Sequence, residues 1–274
     1  MKNALRWIGS GIVALVFLAP VLWLVLASFR TESRIFDPSW GNWLTLRGWT
    51  SGNYADAWRR AALGRALINS ILQVILIGGV GLLVNSLAAY AFARLEFRGR
   101  DWLFGGVVAL IILPVEVLAV PLLLTARDLG LTGGYFATLG GLTIPFMATA
   151  FNIYFLRQHF LSLPAELEEA AVVDGAGVLR RFWSIALPAV RPALATVIVI
   201  DVLTHWGDFL WPLMISTREE TRTLQLGLAN LFTQPPIQWG DILACGVIAT
   251  LPVVLLFRWV QRYIVVSDAR AGVK

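Results

Sequence analysis

The sequence predicts an all-α membrane protein with six transmembrane helices and with both termini in the cytoplasm. Hydrophobic residues make up 58% of the 274 residues and charged residues 14%, whereas soluble domains hold about 45–50% and about 25%. Six apolar stretches reach the length of about 20 residues that crosses a bilayer. Backbone polar groups in lipid must be satisfied inside the protein, which favours a helical bundle.

The predicted spans share a dominance of apolar side chains and contain few or no charged residues. They cover residues 7–27, 67–92, 102–124, 137–156, 192–215 and 242–260. The first run is longer than the roughly 7–15-residue core of a signal peptide, so we expect an uncleaved span. The chain is predicted to form one transmembrane domain over residues 1–274, with its core at 67–262.

The basic residues orient this predicted bundle. With the N-terminus inside, most of the 22 Lys and Arg residues fall on the cytoplasmic side, as cytoplasmic loops generally require. The segment 28–66 is then an outer loop and the segment 157–191 an inner loop. A net charge of +5 is explained by contact with membrane lipid, and no nucleic-acid partner is expected.

Prolines and glycines inside the spans indicate a packed bundle. Pro114 and Pro121 interrupt the third span and Pro145 lies in the fourth, where neighbouring helices can satisfy the freed carbonyls. The glycine pairs at 78–79, 105–106 and 140–141 predict close approaches between helices.

The inner loop 157–191 is predicted to form a helix, a turn and a second helix. Ser162 is expected to cap the first helix, with Pro164 in its first turn. Acidic residues near its start favour the positive end of the helix dipole. An amphipathic helix lying on lipid would carry a Lys/Arg-rich polar face, and because this helix is acidic, a protein partner is favoured over lipid.

The turn is predicted at Asp174–Gly175, because glycine accepts a positive φ. A second short helix should follow with Phe182, Trp183 and Ile185, and Pro188 should end it before the fifth span. Small alanines at the centre of this segment would let a partner surface approach closely.

The residues of this loop resemble the EAA loop of binding-protein-dependent ABC importer permeases. The resemblance rests on Glu169-Ala170-Ala171, then Gly175, then Ile185, Leu187 and Pro188. The fuller run EAAVVDGA is similar to the carbohydrate-uptake branch, which includes maltose-type and glycerol-3-phosphate-type permeases. Further similarities from about residue 53 to 266 are Asn53-Tyr54, Asn69-Ser70, AAYAFARLEFRGR (88–100), LPAELEEAA (163–171), FLWPL (209–213), Trp239-Gly240, Pro252, Gln261 and Arg262.

The resemblance implies a coupling helix that sits in a cleft of a separate ATP-hydrolysing subunit. Glu169 would meet a basic residue of the ATPase, Ala170 and Ala171 would form the close contact, and Gly175 would set the bend. The residues that the resemblance assigns to ATPase coupling are Glu169, Ala170, Ala171, Asp174, Gly175, Ile185, Leu187 and Pro188. One departure is Trp206-Gly207-Asp208, where the family often has Trp-Asn-Asp/Glu.

The resemblance also implies the partners and the location of the chain. The expected partners are ABC ATPase subunits, a second permease subunit that is expected to be non-identical, and an extracytoplasmic solute-binding protein. The solute would be a sugar, an oligosaccharide or a polyol phosphate, moved by alternating access across a bacterial or archaeal cytoplasmic membrane.

A polar stripe is predicted inside the fifth span. Asp201, Thr204, His205 and Asp208 follow the i, i+3, i+4, i+7 spacing that stacks side chains on one helix face. Trp211 lies about 80° from Asp201 around the helix axis. Charged groups at membrane depth usually face a cavity or a partner. We weigh two interpretations equally: the stripe lines the solute path, or Asp201 and His205 bond to neighbouring helices.

Glu116, near Pro114 and Pro121 in the third span, is a second candidate for the solute path. Its carboxylate would also lie at membrane depth, where such groups are rare and usually functional.

No motif in the sequence predicts that this chain catalyses a reaction itself. Its lysines, Lys2 and Lys274, lie outside any GxxxxGK[ST] loop, so ATP should be bound by partner subunits and no cofactor is expected. No Cys/His cluster has metal-site spacing, and the single cysteine, Cys245, excludes an intrachain disulfide. Two other classes remain open: an ion-coupled secondary transporter, in which the carboxylates would carry protons, and a non-transporting scaffold.

Overall fold

The computed structural model describes residues 2–39, 45 and 47–271. Residue 1 and the tail 272–274, which belong to the predicted domain, and residues 40–44 and 46 of the predicted outer loop lie outside this range. Helices account for 78% of the chain, and the described residues contain no strand. The prediction of an all-α fold is confirmed.

The α-helices are, in chain order, α1 (Lys2–Ser28), α2 (Glu32–Ile35), α3 (Gly52–Arg60), α4 (Leu63–Leu76), α5 (Leu82–Arg94), α6 (Arg100–Ile111), α7 (Val115–Asp128), α8 (Tyr135–Thr143), α9 (Ala150–Leu161), α10 (Ala165–Val173), α11 (Val178–Arg181), α12 (Leu187–Ala189), α13 (Arg191–Trp206), α14 (Leu210–Ile215), α15 (Leu224–Leu231) and α16 (Trp239–Ala271). The π-helical segments Ile77–Gly81 and Phe182–Ala186 join α4 to α5 and α11 to α12.

Within the described residues, three helices are long and apolar enough to cross a membrane without interruption. They cover Arg6–Ser28, Leu63–Arg94 and Trp239–Trp259, and they match the predicted first, second and sixth spans. Three bent helix pairs raise the number of candidate spans to six if each pair is one span. The prediction of six spans is therefore confirmed for three continuous helices only.

The predicted third, fourth and fifth spans are not straight helices. The third bends by 108° between α6 and α7, where Pro114 precedes the first residue of α7. The fourth bends by 47° between Phe146 and Ala150. In the fifth, predicted as 192–215, α13 ends at Trp206 and α14 begins at Leu210. Hydropathy alone does not detect such breaks, because apolar residues continue on both sides of them.

The described chain divides into two compact units. One is formed from residues within Met1–Leu67 and Thr223–Val254, and the other from residues within Ile68–Arg222 and Leu255–Lys274. The second unit contains all the residues predicted to couple to an ATPase or to line the solute path.

In the first unit, the N-terminus of α16 is held by side chains from the earlier segment. The Glu32 carboxylate accepts hydrogen bonds from the backbone N–H groups of Trp239 (3.0 Å) and Gly240 (3.1 Å). These are N–H groups that a helix start leaves unpaired. A Cβ on Gly240 would lie within 2.6 Å of the Asn53 side chain, which would have to shift to accommodate it.

The core of the second unit lies between α5, α9 and α13 and the π-helical segment before α12. The Tyr90 ring contacts Phe160 (centroids 5.6 Å apart) and Phe182 (5.3 Å). The buried residues of this cluster are Ala89, Tyr90, Ala93, Ile153, Leu156, Phe160, Phe182, Ala186, Val190, Ala193 and Val197. The core therefore adjoins the inner loop directly.

The glycine pairs behave differently from one another. A Cβ on either residue of the pairs 78–79 and 105–106 would meet no described atom within 4 Å, so the close approach predicted there is absent within this chain. A Cβ on Gly141 would instead collide with the Ile215 side chain and lie 2.6 Å from the Leu131 carbonyl oxygen. Here the predicted close approach is confirmed.

Candidate functional site

The predicted helix of the inner loop is α10, and it begins one residue after Pro164. The predicted cap by Ser162 is wrong. Ser162 is the C-cap residue of α9, and its hydroxyl donates to the His159 carbonyl (2.8 Å). Pro164 occupies the cap position with extended backbone angles. Glu166 and Glu168 lie in the first turn, at the positive end of the helix dipole as predicted.

The predicted turn after α10 is present and is closed by two hydrogen bonds. Gly175 has a φ of +75°, in the left-handed region that favours glycine. Its N–H donates to the Val172 carbonyl (2.9 Å), and the Ala176 N–H donates to the Ala171 carbonyl (2.8 Å). This pair of bonds is the Schellman arrangement, which satisfies carbonyls left over at a helix end. Asp174 is the C-cap residue.

The second helix of the loop runs in three short pieces. α11 and the π-helical segment precede α12, in which Pro188 is the second of three residues. The predicted end at Pro188 is thus displaced by one residue, to Ala189. This segment bends by 78° into α13.

The predicted coupling residues differ in their accessibility. Glu169, Ala170, Asp174 and Gly175 are exposed, whereas Ile185, Leu187 and Pro188 are half-buried. Ala171 is buried, with 9% of its surface exposed. Its side chain therefore packs within this chain, while Ala170 is free to meet a partner.

Large apolar side chains accompany the exposed coupling residues. Val173 is 87% exposed at the end of α10. The others in this loop are Leu167, Val172, Val178, Leu179 and Trp183. Contiguous apolar surface of this kind, beside polar residues, is typical of an interaction site.

Glu168 has a different environment from its acidic neighbours, because it is buried in an ionic cluster. The Tyr90 hydroxyl donates to Glu168 Oε2 (2.8 Å). Arg94 Nε lies 3.4 Å from Oε1, and an Arg181 guanidinium nitrogen lies 3.5 Å from Oε2. The cluster joins α5, α10 and α11 through one carboxylate.

Arg94 extends this cluster to the end of α9. Its guanidinium also donates to the carbonyl oxygens of Phe160 (2.7 Å) and Leu163 (2.5 Å). A cation at a helix C-terminus satisfies unpaired carbonyls and the negative end of the dipole. The inner loop 157–191 is thereby fastened to the predicted second and fourth spans.

The inner loop is one candidate site, and the second is a cavity of about 420 Å³ beside the break between α13 and α14. All the residues predicted for the solute path line it. They are Glu116, Asp201, Thr204, His205, Asp208 and Trp211. The structure thus brings these residues together, across the bend in the third span as well as the break in the fifth.

The helical-face argument holds for part of this set. Asp201, Thr204 and His205 lie on α13, as predicted, but Asp208 lies beyond its end at Trp206. Asp208 reaches the cavity from the bend, where its Oδ1 accepts a hydrogen bond from the Trp211 N–H (3.4 Å). Its placement by helical periodicity was wrong for this reason.

The contacts of Asp201 are compatible with both interpretations that the sequence left open. Its Oδ1 accepts a hydrogen bond from Asn152 Nδ2 (2.8 Å), and the same nitrogen donates to Thr149 Oγ1 (2.8 Å). Its Oδ2 is buried and has no hydrogen-bond partner among the described residues. One oxygen therefore holds α13 to α9, while the other is buried without a partner among the described residues.

His205 and Trp211 pack against the same phenylalanine. The Phe146 ring lies 5.1 Å from the His205 ring and 5.8 Å from the Trp211 ring. His205 Nδ1 is buried without a partner in the described part of the chain. Trp211 is 4% exposed and donates from Nε1 to the Gly141 carbonyl (3.0 Å). The indole therefore supports the cavity wall, and little of it is available to stack on a solute.

Several residues of the inner-loop cluster and of the cavity were not predicted from the sequence. Asn152 and Phe146 line the cavity, and Tyr90 and Arg94 hold Glu168. A polar Asn inside an otherwise apolar span was a signal for the first. The i, i+4 spacing of Tyr90 and Arg94 was a signal for the second, because it places both on one helix face.

Comparison with known proteins identifies the class of protein. Residues 81–266 match the family described as binding-protein-dependent transport system inner membrane component, and the chain belongs to this family. The matched region includes the inner loop and every residue that lines the cavity.

Individual relatives cover most of the chain. It is 34% identical over 276 residues to the arabinooligosaccharides transport system permease protein AraQ of Halalkalibacterium halodurans, covering 97% of this chain and 95% of AraQ. It is 31% identical to the diacetylchitobiose uptake system permease protein NgcG of Streptomyces coelicolor, covering 92% and 82%. It is 34% identical to the sn-glycerol-3-phosphate transport system permease protein UgpE of Yersinia enterocolitica, covering 76% and 75%.

Solved structures support the same class. A chain of a bacterial ABC transporter involved in the import of the acidic polysaccharide alginate is 25% identical, with a TM-score of 0.79 and 96% of both chains covered. A chain of the alginate transporter in complex with a pentasaccharide-bound periplasmic protein shares the fold, with a TM-score of 0.67 at 15% identity. The chain is a permease subunit of an ABC importer, and neither the family nor these proteins support an ion-coupled transporter.

Proposed function

We propose that this chain forms half of the membrane path of an ATP-driven importer for a sugar, an oligosaccharide or a polyol phosphate. The observation that carries this proposal is the cavity lined by Glu116, Asp201, Thr204 and His205 within a chain of this permease family. The named relatives, AraQ, NgcG and UgpE, are described as permeases for solutes of these kinds.

The inner loop 157–191, which we call the coupling segment, is the proposed contact with a separate ATPase. Glu169, Ala170 and Gly175 are exposed, and the described residues leave the apolar side chains around them largely uncovered. The Glu168 cluster fastens this surface to α5 and α9, so displacement of α10 by the ATPase would be transmitted to those helices. The fastening favours a docking role over a loose connecting loop.

The proposed topology places the N-terminus, the C-terminus and the segment 157–191 in the cytoplasm. The bent pairs within residues 100–128 and 135–161 would each count as one span, and α13 with α14 would form the fifth. Together with the three continuous helices this gives six spans, and the segment 28–66 would lie outside. ATP would be bound and hydrolysed by partner subunits, and the two permeases would rock between inward- and outward-facing states.

The proposed assembly contains a second, non-identical permease, two ATPase subunits and an extracytoplasmic solute-binding protein. The family is defined by dependence on a binding protein, and the related alginate transporter has been solved with one. The membrane would be the cytoplasmic membrane of a bacterium or an archaeon.

Cysteine cross-linking tests the coupling segment and the topology together. In a Cys245→Ala background, Ala170→Cys should cross-link to the ATPase subunit and resist membrane-impermeant maleimide added from outside. Glu219→Cys is exposed between the predicted fifth and sixth spans, which the proposed topology places outside. It is the matched control: it should react from outside and form no ATPase cross-link. The reversed pattern would contradict the topology, and the absence of any cross-link from Ala170→Cys would contradict the docking role.

Uptake measurements test the energy source. Solute uptake into proteoliposomes that contain the full importer should require internal ATP and should survive a protonophore. Uptake that persists without ATP and collapses with the proton gradient would contradict the proposal.

A further inference from the structure

We propose that the cavity selects solutes without negative charge, so that this importer carries uncharged sugars or oligosaccharides rather than phosphorylated or uronic ones. The inference rests on the proposed function and narrows it. The question is open among the proteins named above, because arabinooligosaccharides and diacetylchitobiose are uncharged, whereas glycerol-3-phosphate and alginate are anions.

The charge of the cavity lining supports this selectivity. Three carboxyl groups line the cavity, from Glu116, Asp201 and Asp208, and the described lining contains no Lys or Arg. Proteins usually bind phosphate and carboxylate groups with Arg, Lys or free N–H donors. A solute that carries its own negative charge would be repelled at this wall, most strongly where water is excluded.

The hydrogen-bonding groups of the cavity point the same way. Asn152 Nδ2 donates to both Thr149 and Asp201, and Trp211 Nε1 donates to Gly141, so these N–H donors are already used. A carboxylate oxygen only accepts hydrogen bonds. The cavity therefore offers mainly acceptors, which suit the hydroxyl donors of a sugar and do not suit an anion.

Two polar atoms in the residues that form the cavity wall are buried without a partner. Asp201 is 6% exposed and His205 7% exposed, and both side chains line the cavity. Asp201 Oδ2 and His205 Nδ1 have no hydrogen-bond partner among the described residues. Leaving a buried polar group unpaired is unfavourable, so such atoms are usually satisfied by water or a ligand. Both atoms are closed off from the cavity, so a solute hydroxyl would reach them only after side chains of the wall shift.

Direct binding to the importer separates this selectivity from that of the binding protein. Saturation-transfer-difference NMR would be recorded on the purified importer, without nucleotide or binding protein, since the method detects weak ligands. The probes are arabinotriose, its C1-oxidised aldonic acid, diacetylchitobiose and sn-glycerol-3-phosphate. We expect the dissociation constant of the aldonic acid to exceed that of arabinotriose at least about tenfold, which corresponds to about 1.4 kcal/mol.

Neutralising the lining should change this ratio in a defined direction. Glu116→Gln and Asp201→Asn should each tighten binding of the aldonic acid and bring the ratio below about threefold, because each removes one repelling charge. Glu116 is exposed and makes no side-chain bond among the described residues, so its variant remains informative if Asp201→Asn weakens the α9–α13 contact. Asp101→Asn, whose side chain is 82% exposed outside the cavity, should leave the ratio unchanged.

The outcomes distinguish this inference from the proposed function. Equal or tighter binding of the aldonic acid by the unmodified importer, or a ratio that neither cavity variant alters, would overturn the selectivity even if ATP-driven uptake is observed. The absence of signal from all four probes would overturn the cavity as a solute site. Failure of ATP-driven uptake for every probe, in proteoliposomes with the binding protein present, would instead count against the proposed function.

Discussion

The buried carboxylate of Glu168 should be essential for holding the coupling segment in place. We predict that Glu168→Gln destabilises the chain strongly, while Glu166→Gln does not. Glu166 lies two residues earlier in the same helix, but it is exposed. The two substitutions are chemically identical, so any difference between them reports the ionic cluster around Glu168.

The size of the effect follows from the contacts. Removing one partner of a buried ion pair costs about 3–5 kcal/mol. Here the Arg94 and Arg181 side chains are 14% and 19% exposed, so water partly screens them after the change. Glutamine also retains an acceptor for the Tyr90 hydroxyl, which lies 2.8 Å from the carboxylate. We therefore expect a loss of about 2–4 kcal/mol in the free energy of unfolding.

A double-mutant cycle with Tyr90→Phe tests whether the contact itself is responsible. The unfolding free energy would be measured by SDS titration of the purified chain in mixed micelles. Tyr90→Phe alone should cost about 1.5–3 kcal/mol, because the lost bond ends on a charged group. Combined with Glu168→Gln, the losses should be less than additive by more than about 0.5 kcal/mol.

Two results would refute this reasoning. One is a Glu168→Gln variant within about 0.5 kcal/mol of the Glu166→Gln variant, which is the usual range for an unimportant surface substitution. The other is strict additivity with Tyr90→Phe, because residues in one hydrogen-bonded cluster should couple.

Two glycine substitutions test local geometry. Gly175→Ala should lower stability by about 1–2 kcal/mol, because alanine is strained at a φ of +75°, and it should reduce the ATPase activity that the loaded binding protein stimulates. The control is Gly177→Ala, since Gly177 has a negative φ and open space around it. Equal effects of the two substitutions would contradict the role of the turn. In the same SDS titration, Gly141→Ala should cost about 1–3 kcal/mol of unfolding free energy through overpacking. Gly140→Ala should be tolerated, because its Cβ would make ordinary contacts at 3.4 Å. A stable Gly141→Ala variant would show that the helices separate there without penalty.

Hydropathy and local spacing were sufficient for the class of protein and for the shape of the coupling segment. Long apolar runs identified α1, the α4–α5 helix and α16, because membrane burial acts on each segment separately. The turn at Gly175 was equally predictable, since a positive φ is a local requirement. The family resemblance was also readable from the sequence, because its motifs occur in order along the chain.

Only the tertiary structure decided which polar residues meet. In the sequence, nothing distinguishes Glu168 from the other acidic residues of α10. The structure shows that Glu168 contacts Tyr90 and Arg94, which lie 78 and 74 positions earlier in the chain, whereas Glu166 is exposed. Residues so far apart in sequence leave no local pattern that marks their contact.

The cavity shows the same division. The sequence alone determined that polar groups lie within apolar spans and that Asp201, Thr204 and His205 share a helix face. It did not determine the end of α13 at Trp206, the position of Asp208 in the bend, or the bond between Asp201 and Asn152. Helix breaks and bonds between spans depend on which helices pack together, and a periodicity that assumes an unbroken helix carries no information about either.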